Sequence, residues 1–433
     1  MYSACETGNE NLFFFLIRHG ADIDKMYIDI GTLLYYACRS ESENIVKYLV
    51  EQEEVDLVDL DKEYKDSDSH KVKTPLNEVC ENGNENIVKY LVEYGADINK
   101  EDENGETPLS KACFFENENI VIYLIDHGAD INKGDKDGVT PLHHACCFSC
   151  EYIVKYLVDH GADLNKESKY SQIPLFKACY NGNENIFNYL VQHGADINNK
   201  ESKNGETPLF KACYNGNENI FNYLVEHGAD INKENNYGKT PLFCACYNEN
   251  ENVVKYLVEH GADINKERED GETPLFCACY NENENIVKYL VEHGANINKE
   301  NEHKETPLFV ACKEGNENIV KYLIEHGADI NKENNYGETP LFNACLKEHE
   351  NIVKNLVEHG ADINKKDSHD RTSFFRACGR GNENIVKFLI EHGADLNKED
   401  DSGETPLFPV IRSKNENIVK YLVEHVADIN KEN

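Results

Sequence analysis

The residues best suited to chemistry in this 433-residue chain are histidines and cysteines crowded near residue 145. Cys147-X-X-Cys150 has a spacing that metal sites use, and His143, His144 and Cys146 lie beside it. Zinc is held by thiolates and imidazoles, but its ligands must converge on one point. No second pair of cysteines stands at zinc-site distance, so the sequence predicts no metal centre. A redox or metal protein that uses Cys146, Cys147 and Cys150 stays open as an alternative.

Two further motifs imitate ligand-binding loops. Gly238-Lys239-Thr240 is similar to the end of a phosphate loop, but Lys233 stands where the first glycine is required. Asp135 and Asp137 are spaced as in a calcium loop, but the glycine is misplaced and no glutamate follows at the twelfth position. No nucleophile elbow or kinase motif set is present. The sequence therefore predicts no catalytic residue, no cofactor, no small-molecule substrate and no enzyme activity.

Single histidines also recur along the chain, each just before a glycine, as at His127, His160 and His193. One histidine per block is not a metal cluster. It is expected to lie at the C-terminal end of a helix, where the helix dipole favours a donor or a positive charge.

These histidines belong to a block of roughly 33 residues that repeats along almost the whole chain, a period typical of solenoids. Each block runs from Thr-Pro-Leu through Ala-Cys and Asn-Glu-Asn-Ile-Val to Gly-Ala-Asp-Ile-Asn. The Thr-Pro-Leu copies begin at Thr74, Thr107, Thr140, Thr207, Thr240, Thr273, Thr306, Thr339 and Thr405.

The block predicts two short helices. The threonine is a helix N-cap and the proline after it takes the first helical position, where it forfeits no backbone hydrogen bond. An asparagine such as Asn84 caps the second helix, whose apolar stripe follows the spacing of Ile87, Val88 and Leu91. That helix ends at a glycine such as Gly95, and a polar turn leads to the next threonine.

These residues resemble the ankyrin repeat family. The resemblance spans residues 1–433, with about twelve repeats, and implies an all-α repeat solenoid of stacked helix-turn-helix units with short β-hairpin-like loops. The first repeat is truncated at its N-terminus, and an irregular insertion covers residues 52–73. The acidic part of that insertion, Glu53 to Asp68, is expected to be an exposed loop and the weakest point of the array. We predict that residues 1–433 form a single array.

One departure from the family pattern is systematic. The histidine that follows Thr-Pro-Leu in the family is retained only at His143, and phenylalanine replaces it in most of the other repeats. Apolar packing is expected to take the place of the polar contacts that this histidine makes with the threonine. The replacements are Phe176, Phe210, Phe243, Phe276, Phe309, Phe342 and Phe408.

Composition narrows the cellular compartment and the class of partner. Twelve of the sixteen cysteines occupy one small-residue position per repeat, so they are expected to be buried and unpaired. Unpaired thiols predict a reducing compartment, the cytoplasm or the nucleus. The net charge of −36 is spread through every repeat and leaves no basic footprint for nucleic acid. No apolar stretch approaches the roughly 18 residues that a membrane span needs.

The resemblance implies that protein partners bind the concave face formed by the first helices and the tips of the loops. Variation between repeats concentrates at those positions. Tyr180, Tyr214, Tyr247 and Tyr280 recur at one position and predict an aromatic ladder, used either for binding or for packing against one another. The other candidates are Phe114, Phe115, Phe148 and Lys313 on the first helices and Tyr170, Tyr237, Arg268, His303 and Tyr336 in the loops.

The function predicted is that of a non-catalytic scaffold that binds one or more proteins. An alternative is a regulatory or targeting segment of a larger enzyme or degradation adaptor. The sequence does not name the partner.

Overall fold

The computed structural model describes residues 1–21, 23, 30–51, 59–65, 72–199, 203–413 and 415–424. These residues form two compact units, Met1–Ala229 and Asp230–Asn433, each built from helix pairs. The predicted all-α repeat solenoid is therefore confirmed. The interpretation of residues 1–433 as one array stays a prediction.

The first unit contains more of the described elements than the second, including the two short strands. Its elements are α1 Tyr2–Glu6, α2 Glu10–Arg18, α3 Ile30–Arg39, α4 Glu43–Val50, β1 Tyr64–Lys65, β2 Val72–Lys73, α5 Pro75–Asn82, α6 Glu85–Glu93, α7 Pro108–Phe114, α8 Glu118–Asp126, α9 Pro141–Cys147, α10 Glu151–Asp159, α11 Pro174–Asn181, α12 Glu184–Gln192, α13 Pro208–Asn215 and α14 Glu218–Glu226.

The second unit continues the same alternation of first and second helices. Its elements are α15 Pro241–Tyr247, α16 Glu251–Glu259, α17 Pro274–Tyr280, α18 Glu284–Glu292, α19 Pro307–Glu314, α20 Glu317–Glu325, α21 Pro340–Lys347, α22 Glu350–Glu358, α23 Ser373–Arg380, α24 Glu383–Glu391, α25 Leu407–Ser413 and α26 Glu416–Glu424.

The core of each unit follows the repeat. The first helix buries leucine, alanine and cysteine, as at Leu109 and Cys113 of α7, and the second buries its Ile-Val-Leu stripe, as at Ile120 and Leu124 of α8. Within a unit, each first helix packs on the first helices of the neighbouring repeats. The twelve cysteines at the repeat position are buried, as predicted, and burial raises the pKa of the Cys5 thiol to about 12.

The helix ends use several kinds of cap. Asn84 accepts from the Ile87 amide at 3.1 Å, as predicted for the second helices. Thr74 accepts from the Asn77 amide at 3.2 Å. Thr240 makes no such side-chain bond, because the Phe243 amide turns to the Thr240 carbonyl at 3.0 Å instead. The threonine therefore marks the start of most of the first helices described but caps only some of them with its side chain.

Asparagine side chains tie successive repeats together beside the second helices. The Asn132 amide group donates to the Gly161 carbonyl at 3.1 Å, and the Asn132 side-chain oxygen accepts from the Asp163 amide at 2.7 Å. Asn265 makes the same bridge in the second unit, to Gly294 at 3.0 Å. Each bridge satisfies two backbone groups that a helix end and a turn would otherwise leave unpaired.

His143 differs from the phenylalanines at its position as the sequence predicts. Its Nδ1 accepts from the Thr140 amide at 3.1 Å, and its Nε2 donates to the Gln172 carbonyl at 2.8 Å. Phe243 and Phe342 are buried at the same position, while the Thr240 and Thr339 hydroxyls have no hydrogen-bond partner among the described residues. Apolar packing has replaced the polar contacts there.

The insertion is described only in part. Residues 52–58 and 66–71, which include most of the predicted exposed loop, lie outside the described residues. In the described part, β1 and β2 pair antiparallel, and Tyr64 is buried with its ring stacked on Tyr35 at 5.6 Å. Tyr64 thus belongs to the core rather than to an exposed loop. None of the described helices has the length and apolarity needed to cross a bilayer.

Candidate protein-binding surface

The predicted aromatic residues of the first unit lie at the solvent-exposed ends of the first helices. Phe114, Phe115, Phe148, Tyr180 and Tyr214 each expose between 38% and 52% of their surface. Their main chains are fixed by the buried leucine, alanine and cysteine of the same helices. A rigid backbone with partly exposed rings is the arrangement from which protein-binding surfaces draw most of their affinity.

Three of these rings form one cluster, which we call the Phe cluster: Phe114, Phe115 and Phe148. The centroid of Phe114 lies 4.9 Å from that of Phe115 and 4.8 Å from that of Phe148, both in edge-to-face contact. Phe114 also meets the His144 ring edge to face at 5.4 Å. The cluster joins two successive repeats.

The tyrosine ladder takes a different form in each unit. Tyr180 and Tyr214 stack in the first unit, with ring centroids 5.8 Å apart and 19° between the planes. In the second unit Tyr247 is 62% exposed, whereas Tyr280 is half-buried and donates its hydroxyl to Glu272 at 3.1 Å. No ring contact joins Tyr247 to Tyr280 in the described part of that unit. The use of these four tyrosines for binding stays a prediction.

A carboxylate network explains the position of Tyr280. Glu272 is buried, pairs with the Arg268 guanidinium at 2.6 Å and lies 3.5 Å from the Asn301 side chain. Burial raises the pKa of Glu272, although the Arg268 charge opposes the change. Burial and the neighbouring Glu272 charge both raise the pKa of Tyr280. Tyr280 is therefore tied to its own unit, unlike Tyr247.

The loop candidates separate into exposed aromatics and paired charges. Tyr170, Tyr237 and Tyr336 are exposed at their loop tips. Arg268 forms ion pairs with Asp270 and Glu272, so its guanidinium is held within its own loop. His303 is exposed beside Glu302, and Lys313 of α19 is half-buried.

A surface pocket of about 510 Å³ lies in the first unit against the Phe cluster. Phe114 and Phe115 form one wall, and Glu81, Glu106 and Asp137 contribute carboxylates. A second pocket, of about 360 Å³, lies in the second unit beside Tyr237 and is lined by both acidic and basic side chains.

Lys111 is buried in the floor of the first pocket. Its Nζ lies 3.1 Å from Asp102 and also pairs with Glu106. Burial disfavours the charged ammonium, but Glu106 and Asp102 outweigh it and raise the pKa of Lys111. The lysine therefore stays charged and neutralises carboxylates of its own chain.

The sequence identified neither the carboxylates around Tyr280 nor the contacts among the three rings of the Phe cluster. Two signals for them were present. Cys277 stands where the Tyr214 repeat has Lys211, which pairs there with Glu206 at 2.5 Å. Phe115 occupies the position of an asparagine in other repeats.

The residues that suggested a metal or redox centre are not brought together. Cys146 is buried, Cys147 is exposed and Cys150 starts α10 at its N-cap. Among the described residues, no group of three histidine, cysteine or carboxylate side chains could hold a metal ion. The repeated histidines lie at the ends of the second helices, where, for example, the His127 Nδ1 is 2.8 Å from the Tyr123 carbonyl and its ring stacks on Tyr123.

Helix pairs at a fixed period, with aromatic side chains left exposed on the first helices, define a helical repeat protein. The family described as Ankyrin repeats (3 copies) matches the chain in overlapping segments from end to end, and the chain belongs to the ankyrin repeat family. No curated protein matches it. Ankyrin repeats are generally protein–protein interaction modules, and proteins built from them are typically non-catalytic. The matched segments are residues 1–102, 57–135, 100–168, 128–201, 164–235, 232–301, 298–367 and 365–433.

Proposed function

We propose that this protein is a non-catalytic scaffold that binds protein partners through the exposed side of its first helices and its loop tips. The observation that carries the proposal is the exposure of aromatic rings at the same end of first helices in each unit, as at Phe114 and Tyr214 in the first unit and Tyr247 in the second. Water-exposed aromatic rings on a rigid helix contribute little to the core, and a partner that covers them gains their burial energy.

The partner is proposed to be protein rather than nucleic acid, because the chain carries a net charge of −36. The compartment is proposed to be the cytoplasm or the nucleus, on the grounds that thiols such as Cys113 and Cys146 are buried and unpaired. Under native conditions the buried thiols should resist alkylation, and all sixteen cysteines should react after denaturation without reductant. Detection of several native disulfides would overturn this choice of compartment.

Affinity capture with the full chain tests the scaffold proposal. The test variant carries Tyr180→Ala, Tyr214→Ala and Tyr247→Ala. The matched control carries Tyr94→Ala and Tyr152→Ala, two tyrosines of the second helices that are about equally exposed. Proteins captured from a lysate and identified by mass spectrometry should be lost from the test variant and kept by the control.

The opposite pattern, with capture lost from the control alone, would move the binding surface to the second helices. Capture that survives in both variants would leave the loop tips or the Phe cluster as the site. Circular dichroism of each variant ensures that a loss reflects the surface and not unfolding.

A further inference from the structure

Two rings of the Phe cluster occupy a position at which an asparagine can form a hydrogen bond between repeats. Phe115 and Phe148 stand where other repeats place asparagine. Asn181 donates there to the Cys147 carbonyl at 2.6 Å, and Asn215 donates to the Tyr180 carbonyl at 3.0 Å, each linking two repeats. A phenylalanine gives up that hydrogen bond and leaves an apolar ring in water. The loss of that hydrogen bond costs free energy of folding, and the contacts among the rings return part of it. The exposed parts of the rings, 42% of Phe115 and 40% of Phe148, gain nothing from folding, so the stability of the repeats does not explain them.

The pocket beside the Phe cluster is lined by aromatic rings and by carboxylates. Phe114 and Phe115 face a space of about 510 Å³, which is large enough for a long side chain. Four carboxylates, those of Glu81, Glu106, Asp135 and Asp137, line it together with Lys111 and Lys136.

The two lysines are already engaged with their own chain, and so is Glu81, which pairs with Lys73 at 2.8 Å. Lys111 pairs with Asp102 and Glu106, and Lys136 donates from Nζ to the Glu103 carbonyl at 2.5 Å. Asp137 pairs with Lys169 at 3.1 Å, but both side chains are exposed. An exposed pair contributes little free energy, so an incoming cation can replace Lys169 at small cost.

We propose that the Phe cluster and its pocket bind a peptide segment of a partner in which an arginine or lysine stands next to an apolar residue. The inference rests on the proposed function and names the chemistry of the partner at this site. The cation lies over the faces of Phe114 and Phe115 and reaches Asp137, while the apolar residue covers Phe148. The net charge of −36 favours the approach of a basic segment over an acidic one.

The test is selection from a random library of linear peptides on the immobilised full chain. The enriched peptides should carry arginine or lysine within two positions of an apolar residue. Their affinity should fall about tenfold or more on the Phe114→Ala/Phe148→Ala variant, because the aromatic anchors carry the binding energy. Tyr152→Ala, at an exposed tyrosine of the second helix α10 in the same unit, is the matched control and should bind as the parent chain does.

A charge series sharpens the same test. Replacing the selected arginine by citrulline, its neutral analogue, should abolish binding, and Asp137→Asn should weaken it in the same direction. Enriched peptides without basic residues, or binding that survives both phenylalanine substitutions, would overturn the proposal.

A second copy of this chain is the competing occupant of the Phe cluster. Sedimentation velocity should give the same monomer for the parent and for Phe114→Ala/Phe148→Ala. If the parent dimerises and the variant does not, the cluster is a self-association surface and the basic peptide is excluded. If library selection fails while lysate proteins still bind through the tyrosines, this site fails and the scaffold proposal stands.

Discussion

The Tyr214 repeat and the Tyr280 repeat begin with almost the same residues and present different surfaces. Residues 206–214 and 272–280 differ at one position, which is Lys211 in the first and Cys277 in the second. Lys211 pairs with Glu206 and leaves the Tyr214 ring exposed and stacked on Tyr180. Without a lysine there, Glu272 turns to Arg268 and to the Tyr280 hydroxyl.

In the Tyr214 repeat a lysine neutralises the carboxylate and the tyrosine faces water, whereas in the Tyr280 repeat the tyrosine binds the carboxylate of its own loop. The buried positions of the two repeats stay buried even where the residue differs, as Phe221 and Val287 show. Leu224 and Leu290 are both fully buried in the second helices. Repeat proteins can therefore vary the exposed ends of their first helices without altering the packing that holds the repeats together.

The largest expected effect tests the equivalence of the two cores. Leu224→Ala and Leu290→Ala should each lower the free energy of unfolding by roughly 2–5 kcal/mol, because each leaves a cavity among fixed neighbours. Urea denaturation of the full chain, followed by circular dichroism, measures the change. A loss confined to one of the two variants would show that the cores differ as the surfaces do.

A second test compares the one histidine cap with the phenylalanine repeats. Burial lowers the pKa of His143 from 6.5 to about 4, so the unfolded chain binds a proton before the folded chain does. The stability that His143 contributes is fully present above pH 6.5 and is lost as the pH falls towards 4. The loss amounts to roughly 3 kcal/mol.

In His143→Phe, which has the residue of the other repeats, this part of the pH dependence should disappear. Urea denaturation of both proteins between pH 7 and pH 4 measures the difference, since all other titrating groups are shared. Parallel curves would mean that His143 is protonated as easily in the folded chain as in water.

The third test asks whether exposure decides the binding role of the tyrosines. Tyr214→Ala with Tyr247→Ala should weaken binding of a captured partner by about 2 kcal/mol or more and change stability much less. Tyr280→Ala should do the reverse, because Tyr280 is half-buried and bound to Glu272. Isothermal titration calorimetry and urea denaturation give the two quantities. A double variant that unfolds readily but binds normally when folded would make the tyrosines packing residues.

The smallest effect isolates the hydroxyl groups. Tyr280→Phe should cost about 1–2 kcal/mol of stability, because the buried Glu272 loses a hydrogen-bond donor. Tyr214→Phe should cost less than about 0.5 kcal/mol, since no hydrogen bond of its hydroxyl is found among the described residues.

The variant Cys277→Lys completes a double-mutant cycle with Tyr280→Phe. The new lysine should pair with Glu272, as Lys211 pairs with Glu206, and Tyr280→Phe should then be nearly neutral in that background. Tyr280→Phe could instead cost as much stability in the Cys277→Lys background as in the parent. The hydrogen bond from Tyr280 to Glu272 would then depend on Arg268 and the loop and not on the missing lysine.

The fold could be predicted because its signals are local. The Asn84 cap, the proline after most of the threonines and the apolar stripe of Ile87, Val88 and Leu91 act within a few residues and recur in most repeats. The phenylalanines at the position of His143 predicted apolar packing, which Phe243 and Phe342 show. The absence of a side-chain cap at Thr240 could not be foreseen, because it depends on which way the Phe243 amide turns.

The candidate surface could be predicted only as a set of positions. The sequence named Tyr180, Tyr214, Tyr247 and Tyr280 as equivalent, and the structure separates Tyr280 from the others through Glu272. It also named Phe114, Phe115 and Phe148 one by one, without their edge-to-face contacts or the carboxylates beside them.

The sequence by itself determined the repeat, its helices, its buried cysteines and the positions free to vary, because short-range periodicity fixes which side chains turn inward. Only the tertiary structure decided which exposed residues meet. Contacts such as those from Tyr280 to Glu272 and from Phe114 to Phe148 depend on the competition of several side chains for one partner. That competition is settled by distances of a few ångströms between residues of neighbouring loops and helices, which no repeating pattern encodes.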